Sequence, residues 1–127
     1  MMIVQDWDDY SPYFHREEFV CPCGCDQANM RINHMNKLLD ARKIANVPFI
    51  ILSGFRCRSY NHTIGGRAAS DHVTGHGSDI RALDSSTYFE ILSAAILAGF
   101  LRIGPNRGAI HLGNNPTNPQ RVCWTYY

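Results

Sequence analysis

The sequence lacks a marked excess of either charge and lacks any long hydrophobic run. Its 127 residues carry 12 basic and 11 acidic side chains, for a formal net charge of +1, and no basic run is present. This balance gives no broad electrostatic reason to bind nucleic acid or an acidic membrane surface. The longest apolar stretch, residues 91–101, is interrupted by Ser93 and Gly99 and is too short to span a bilayer. We therefore expect neither nucleic acid nor a membrane as a partner.

Repeats, low-complexity tracts and a secretory leader are also missing from the sequence. No segment recurs at a fixed period, and no biased tract marks a linker. The opening residues show no basic segment followed by a sustained apolar run, so we expect a protein made in the cytoplasm, or exported by another route. The length and the 45% hydrophobic content are typical of one globular domain over residues 1–127, which we expect to be a monomer.

The first half of the chain predicts one long helix, one short strand and a long loop. Apolar residues recur at helical spacing over residues 28–46, and Pro48 follows. Residues 49–52 form a short apolar run with strand character. The stretch 57–77 is polar and rich in glycine, serine and arginine, which predicts a long loop of the kind that carries function in small domains.

The second half predicts four more strands and one more helix. Thr87 and Glu90 form a capping box for a helix over residues 88–98, which Gly99 would end. Strand-like runs lie at residues 78–83, 100–103 and 109–112, the last two separated by a turn at residues 104–108; a further strand is expected after residue 121. These elements predict an α+β fold, a small and mainly antiparallel sheet with helices packed on one side and a loop-lined cleft.

The glycine-rich stretch SDHVTGHGSDIR, residues 70–81, is the strongest candidate for a metal site. His72 and Asp79 flank a Gly-His-Gly turn, so a loop that runs into a strand could bring an imidazole and a carboxylate together. A catalytic zinc ion usually takes three protein ligands and leaves a fourth position to water. His111 is the best third candidate, because strand alternation turns it away from its two apolar neighbours. On spacing alone, each histidine could equally be a packed or surface residue.

His72 and His76 offer a rival arrangement, since they stand four residues apart as in the H-E-x-x-H motif. That motif needs a helix and a glutamate after the first histidine, whereas Val73 stands there and two glycines disfavour a helix. We reject this alternative. His76 is then expected to be a loop residue near the site that contacts substrate, or a solvated surface histidine.

The chain has five cysteines, three of them in the cluster CPCGC. Cys21, Cys23 and Cys25 could join Cys57 in a second, structural zinc site, supply disulfides, or stay reduced as small buried residues. Because the spacing is not C-x-x-C, we favour a disulfide or plain packing over a second zinc ion. A redox role is weaker still, since no C-x-x-C begins a helix.

Several short motifs occur in an order that resembles a known enzyme family. They are SGFR at residues 53–56, Asn61, the pair Gly65-Gly66, the pattern S-x-H-x-x-G-x-x-x-D from Ser70 to Asp79, and the late strand histidine. This ordered set resembles the zinc D-alanyl-D-alanine carboxypeptidase and phage-endolysin peptidase family, whose fold hedgehog signalling domains share. The opening YFHREEFVCPCGC and the closing Trp124 resemble the short, often phage-encoded members.

The resemblance implies a zinc ion held by His72, Asp79 and His111, with Arg56 binding or polarising the substrate. Zinc lowers the pKa of its bound water towards ~7 and polarises the scissile carbonyl, and a guanidinium can stabilise the oxyanion. A surface salt bridge is the alternative role for Arg56. The remaining matched positions, Asn61, Ser70 and Trp124, are expected at the substrate side, where the first two hold the loop and orient the ligands.

The sequence departs from the family pattern at the general base. Related enzymes usually carry an acid or a histidine three residues before the last ligand, or an aspartate two after it, and here Gly108 and Gly113 stand there. Such a base is commonly worth about 10²–10⁴-fold in rate. Residues that could substitute are His76, which we place first, Asp71, Glu17 and Glu18.

Two functions follow from these expectations. The first is a zinc metallopeptidase that hydrolyses an amide in the peptide stem of bacterial peptidoglycan, as a D,D-carboxypeptidase or an endopeptidase, and that reaches the wall as a phage lysin or a virion component. The second is a zinc-stabilised domain that binds the cell wall or a protein without cleaving it, which the two glycines at the base positions favour. Function must be argued from the site, and three ligands with Arg56 favour the enzyme.

Overall fold

A computed structural model describes residues 2–125 and shows an α+β fold built on one mixed sheet. Over these residues the strands are β1 Ile51–Ser53, β2 Gly77–Arg81, β3 Arg102–Asn106, β4 Ala109–Gly113 and β5 Val122–Cys123; the helices are α1 Ile32–Ala45, α2 Arg58–Thr63 and α3 Ser85–Ala98. Two short 3-10 helices, Trp7–Tyr10 and Arg16–Glu18, precede α1. The predicted fold class is confirmed.

The sheet has the order β1-β2-β4-β3-β5. The first three neighbouring pairs are antiparallel, and only β3 and β5 run parallel. The two strands at the centre of the candidate site, β2 and β4, are therefore adjacent although 27 residues separate the end of one from the start of the other. Helix α3 occupies most of this connection and packs against both α1 and β4.

Strand alternation separates a core face of the sheet from a polar face. Ile80, Ile110 and Leu112 are fully buried on the core face, together with Leu38 of α1 and Ile91 of α3. Successive side chains of a strand point to opposite faces. Asp79, which precedes Ile80, and His111, which lies between Ile110 and Leu112, therefore share the other face. The core thus fixes which way the candidate ligands point.

The N-terminal boundaries of both long helices differ from the predicted ones. Helix α1 begins at Ile32 rather than residue 28, because residues 30–32 pair with the N-terminal segment: Val4 N–H donates to Met30 O, and Ile3 bridges Arg31. Helix α3 begins at Ser85, and its N-cap is Asp84, whose carboxylate accepts from Thr87 N–H at 2.8 Å. The predicted capping box at Thr87 and Glu90 is therefore wrong, because an aspartate one turn earlier already caps the helix.

The remaining predicted elements are present, but their first or last residues differ from the predicted ones. The loop predicted over 57–77 contains the short helix α2. Gly99 ends α3 in the left-handed conformation, with φ of 95°. Strand β3 continues through Asn106, so the predicted turn at 104–108 narrows to Arg107 and Gly108. The predicted C-terminal strand is β5, and residues 126–127 of that prediction lie outside the described residues.

Helices α1 and α3 are the longest, with 14 residues each. Across residues 2–125, no helix is both long enough and apolar enough to cross a membrane.

Candidate metal centre

Two neighbouring strands and the turn before them bring the three predicted ligands together. Asp79 of β2 and His111 of β4 are direct cross-strand partners, and Asp79 Oδ1 lies 2.8 Å from His111 Nδ1. His72 belongs to the turn that leads into β2, and its Nε2 lies 3.3 Å from Asp79 Oδ2. One ligand atom from each residue lies within 4.8 Å of the other two. The three side chains therefore share a single centre.

The orientation of His72 is set by two backbone contacts. Its Nδ1 lies 2.7 Å from the carbonyl oxygen of Gly54, and since a carbonyl only accepts, Nδ1 carries the hydrogen. The backbone N–H of His72 donates to Ser70 Oγ at 3.2 Å. The other ring nitrogen, Nε2, is thereby turned towards Asp79. Hydrogen bonds of this kind fix the tautomer of metal-binding histidines.

His111 is held from behind by a buried carboxylate. Its Nε2 lies 2.8 Å from Asp71 Oδ2, so this nitrogen donates and Nδ1 is the atom that faces Asp79. Asp71 also accepts from Arg102 Nε at 3.1 Å and from Asn118 Nδ2 at 3.1 Å, and its side chain is 1% exposed. This carboxylate orients His111 and has no open path to a substrate. Asp71, named from the sequence as a possible substitute base, thus lies behind His111 and is bound to three donors.

Gly113 leaves the room that Asp71 needs. A Cβ atom at position 113 would lie 2.2 Å from Asp71 Oδ2 and 3.0 Å from His111 Nε2. No side chain fits at that separation. A side chain at position 113, such as the aspartate that the family resemblance implies there, would collide with the carboxylate of Asp71.

The charges of the cluster are strongly coupled. Burial alone would raise the pKa of Asp79, but hydrogen bonds from His111 and His72 outweigh it and bring the pKa well below its ordinary value. Burial would lower the pKa of His111, but its bonds to Asp71 and Asp79 outweigh it and raise the pKa. Protons and a divalent cation thus compete for the same ligand atoms, because imidazole must give up its proton to coordinate a metal.

Arg56 reaches the cluster from the segment after β1. Its Nη2 lies 3.6 Å from Asp79 Oδ2, its Nη1 donates to Asn61 Oδ1 at 3.3 Å and its Nε donates to Ser53 Oγ at 3.3 Å. Asn61 is 3% exposed, and its amide also donates to Arg67 O. Asn61 therefore positions Arg56 from within the protein. The side chain of Arg56 is partly exposed, so one edge of the guanidinium can meet a ligand.

Trp124 forms a wall beside His111. The two rings lie 5.5 Å apart between centroids, and the guanidinium of Arg102 lies 5.0 Å from the indole centroid on the same tryptophan. The backbone N–H of Trp124 donates to Ile103 O, which continues the β5 pairing by one residue. The structure thus brings this distant residue to the ligand cluster.

The other predicted residues lie outside the cluster of ligand atoms. His76 Nδ1 is 2.8 Å from Thr74 Oγ1, and burial together with the nearby charge of Arg31 lowers the pKa of His76. Glu18 accepts from His15 N–H at the start of the second 3-10 helix, and Glu17 is exposed beside it. Among residues 2–125, the cluster of ligand atoms formed by His72, Asp79 and His111 includes no atom of His76, Glu17 or Glu18.

Sequence reasoning missed His34, which braces the opposite side of β2. His34 lies on α1 and is fully buried, with Nε2 2.7 Å from Ser78 Oγ and Nδ1 2.8 Å from Asn114 Oδ1. Burial lowers its pKa to about 3. Its only signal in the sequence was a histidine on the apolar stripe of an amphipathic helix, which is common in ordinary cores.

The cysteines form no disulfide, which was one of the two alternatives that the sequence favoured over a second zinc ion. All five, which lie within the described residues, are free thiols. The thiols of Cys21, Cys23, Cys25 and Cys57 nevertheless converge.

The donor set of the first cluster suits zinc. Two imidazoles and one carboxylate are typical catalytic zinc ligands, and each imidazole has its second nitrogen held by a protein acceptor. Asp79 is the most exposed of the three, with 24% of its side chain accessible. One side of the cluster is therefore open to a water molecule or a substrate.

Comparison with known proteins agrees with this geometry. The sequence model of the Peptidase M15 family matches residues 12–113, which include all three clustered ligands and Arg56. No curated protein matches the chain closely enough to count as a relative. Because the match extends over most of the sequence, the chain belongs to the Peptidase M15 family, the zinc peptidases of the D-alanyl-D-alanine carboxypeptidase and endolysin type.

Proposed function

We propose that this protein is a zinc metallopeptidase that hydrolyses an amide bond in the peptide stem of bacterial peptidoglycan, as a D,D-carboxypeptidase or an endopeptidase. One observation carries the proposal: His72, Asp79 and His111 converge on one centre with Arg56 beside it. Membership of the Peptidase M15 family supports the substrate class. The resemblance to short phage-type members supports action as a lysin or a virion component.

The outer contacts of the two histidine ligands determine which ring nitrogen each one turns towards the centre. His72 and His111 present Nε2 and Nδ1 to the centre because Gly54 O and Asp71 hold their other nitrogens. A zinc ion bound by these groups would supply a Lewis acid that lowers the pKa of its water towards ~7. The exposed edge of Asp79 marks the side from which the substrate approaches.

Arg56 is proposed to bind the substrate and to stabilise the negative charge that develops on the scissile carbonyl oxygen. Its guanidinium is held in place by Asn61 and Ser53, so little reorganisation is needed when charge develops. Trp124, packed on His111, is proposed to line the substrate side of the site. Ser70 and Asn61 contribute through His72 and Arg56 respectively.

His76 is the proposed proton carrier for the leaving amine. Its lowered pKa keeps the ring neutral near pH 7, so the ring can take a proton from the attacking water and then donate it to the leaving amine. Its Nδ1 is engaged by Thr74, which leaves Nε2 as the working nitrogen. If this assignment is right, His76→Gln lowers kcat and leaves the zinc content unchanged; a variant with full kcat would remove His76 from the mechanism.

A zinc-stabilised binding domain is the second candidate. The observation that favours it is that Asp71, the carboxylate next to His111, is committed to three donors and has a side chain only 1% exposed. The same site would then bind a stem peptide without cleaving it.

Release of amino groups from purified peptidoglycan separates the two functions. The zinc-loaded protein should release amines, and a chelator or the variant His111→Ala should abolish the release. Zinc-dependent sedimentation with peptidoglycan and no amine release would instead identify a binder. Mass spectrometry of the released fragments would show which bond is cut.

A further inference from the structure

A second cluster of metal-ligating side chains lies away from the peptidase site. The Sγ atoms of Cys21, Cys23, Cys25 and Cys57 all lie within 4.8 Å of one another. Cys23 Sγ is 3.6 Å from both Cys21 Sγ and Cys57 Sγ. Three of the cysteines come from one short loop, and the fourth follows the segment that carries Arg56.

These separations suit a metal better than a disulfide. Four thiolates around zinc at about 2.3 Å place neighbouring sulfurs about 3.8 Å apart in a tetrahedron. A disulfide would require about 2.05 Å between one pair and would leave the other two thiols unexplained. The observed 3.6 Å contacts lie close to the tetrahedral edge.

Hydrophobic packing does not account for the convergence. Cys21 is buried, but residues 22–27 are all exposed, so most of the loop has no core to pack against. The loop is closed by Cys21 N–H donating to Gln27 O at 2.8 Å, and it turns at Gly24, where φ is +93°. Its shape turns the thiols of Cys23 and Cys25 back towards Cys21.

Backbone donors already point at two of the sulfurs. Cys57 N–H donates to Cys21 Sγ at 3.4 Å, and Tyr60 N–H donates to Cys57 Sγ at 3.4 Å. Charge-assisted hydrogen bonds of this kind stabilise a thiolate, the form of cysteine that binds metals. The cluster therefore combines four soft ligands with backbone donors at two of them.

We propose that Cys21, Cys23, Cys25 and Cys57 bind a second, structural zinc ion. Four protein ligands close the coordination sphere, as in structural zinc sites, whereas the site at His72, Asp79 and His111 keeps an open side. This assignment does not depend on whether the protein hydrolyses peptidoglycan. It replaces the preference for a disulfide or for packing that the cysteine spacing suggested.

The second zinc ion would link the N-terminal segment to the Arg56 segment. Phe55 N–H donates to Phe19 O at 3.0 Å, so the two segments already run side by side. Cys57 follows Arg56 directly, and Cys21 follows Phe19 by two residues. A metal that joins their ends would fix the path of the chain that presents Arg56 to the ligand cluster.

Metal content measured by inductively coupled plasma mass spectrometry tests the proposal on the full chain, purified reduced and loaded with zinc. Wild type should hold two zinc ions per chain, and His111→Ala and the double variant Cys23→Ser/Cys25→Ser should each hold one. Cys123→Ser is the matched control, because Cys123 is an exposed cysteine outside the cluster; it should keep two. A wild type and a double variant that hold the same number of zinc ions would overturn the proposal.

Cobalt substitution distinguishes the loss of cysteine ligands from a loss of metal that is caused by misfolding. In the His111→Ala variant, cobalt bound at the cysteines should give a strong thiolate-to-cobalt charge-transfer band in the near ultraviolet. The folded variant with no such band would contradict the assignment. The Cys23→Ser/Cys25→Ser variant, checked for folding by circular dichroism, should bind cobalt without that band.

Discussion

The carboxylate of Asp71 occupies the space that any side chain at position 113 would need. A Cβ atom on Gly113 would lie 2.2 Å from Asp71 Oδ2, the same oxygen that contacts His111 Nε2 at 2.8 Å. The family resemblance implies an aspartate at this position. In this chain the acid behind His111 comes from the turn before β2, and the glycine at position 113 makes room for it.

Asp71→Asn should weaken zinc binding at the peptidase site. Three donors, from His111, Arg102 and Asn118, converge on this carboxylate, and an amide can accept on only one of its two heavy atoms. Loss of a carboxylate that orients a ligating histidine typically costs about 10–100-fold in metal affinity. Competition with a chromogenic chelator measures the affinity. An unchanged zinc affinity would mean that Asp71 does not orient His111.

Gly113→Asp should be far more damaging in the wild type than in an Asp71→Gly background. In the wild type the new side chain collides with the carboxylate, whereas in the double variant it enters the space that Asp71 has left. A double-mutant cycle on unfolding free energy should therefore show a coupling within the range of about 0.5–3 kcal/mol found for residues in contact. Additive effects of the two substitutions would contradict the shared space.

Arg56→Ala should reduce peptidase turnover without removing zinc. Arg56 contacts Asp79 but is not one of the three clustered metal ligands. The loss of one group that stabilises an oxyanion commonly costs about 10²–10³ in kcat. Arg58→Ala is the matched control, because Arg58 is an exposed arginine two residues away on α2. A full turnover rate in Arg56→Ala, or an equal loss in the control, would remove Arg56 from the mechanism.

The buried His34 should make the fold sensitive to acid. Burial lowers its pKa from the ordinary 6.5 to about 3. In the unfolded chain His34 is therefore protonated below pH 6.5, whereas in the folded protein it stays neutral down to about pH 3. The free energy of unfolding should therefore fall as the pH drops through this window, by up to ~1.4 kcal/mol per pH unit from this group. Urea unfolding at several pH values measures the slope.

Comparison with a variant isolates the contribution of His34 from that of other groups. His34→Gln can still contact Ser78 and Asn114 but cannot titrate, so its unfolding free energy should fall less steeply between pH 6.5 and pH 3. His62→Gln, a change at an exposed histidine, should retain the wild-type slope. Equal slopes for wild type and His34→Gln would show that His34 is not kept neutral by burial.

The sequence predicted what strand alternation and local spacing determine. His111 stands between two apolar residues in AIHLG, which was enough to predict that it points away from the core. The convergence of His72 and Asp79 followed from a turn that leads into a strand. The α+β class followed from the same periodicities.

Contacts between distant segments escaped prediction because nothing local determines them. The role of Asp71 depends on the space at Gly113 and on donors 31 and 47 residues away in sequence. The meeting of Cys57 with the CPCGC loop was left as one of several alternatives, because it depends on the pairing of Phe19 with Phe55. Helix α1 lost its predicted first turn because residues 30–32 pair with the N-terminal segment, a tertiary contact that overrides helical periodicity.

Anomalous diffraction at the zinc absorption edge, from crystals of the zinc-loaded protein, tests the central claim most directly. The account predicts a zinc peak about 2.0–2.2 Å from His72 Nε2, from an Asp79 carboxylate oxygen and from His111 Nδ1. The protein should supply only three ligands to that zinc ion. The lack of a zinc peak among these three groups, or coordination through His111 Nε2 in place of Nδ1, would contradict the account.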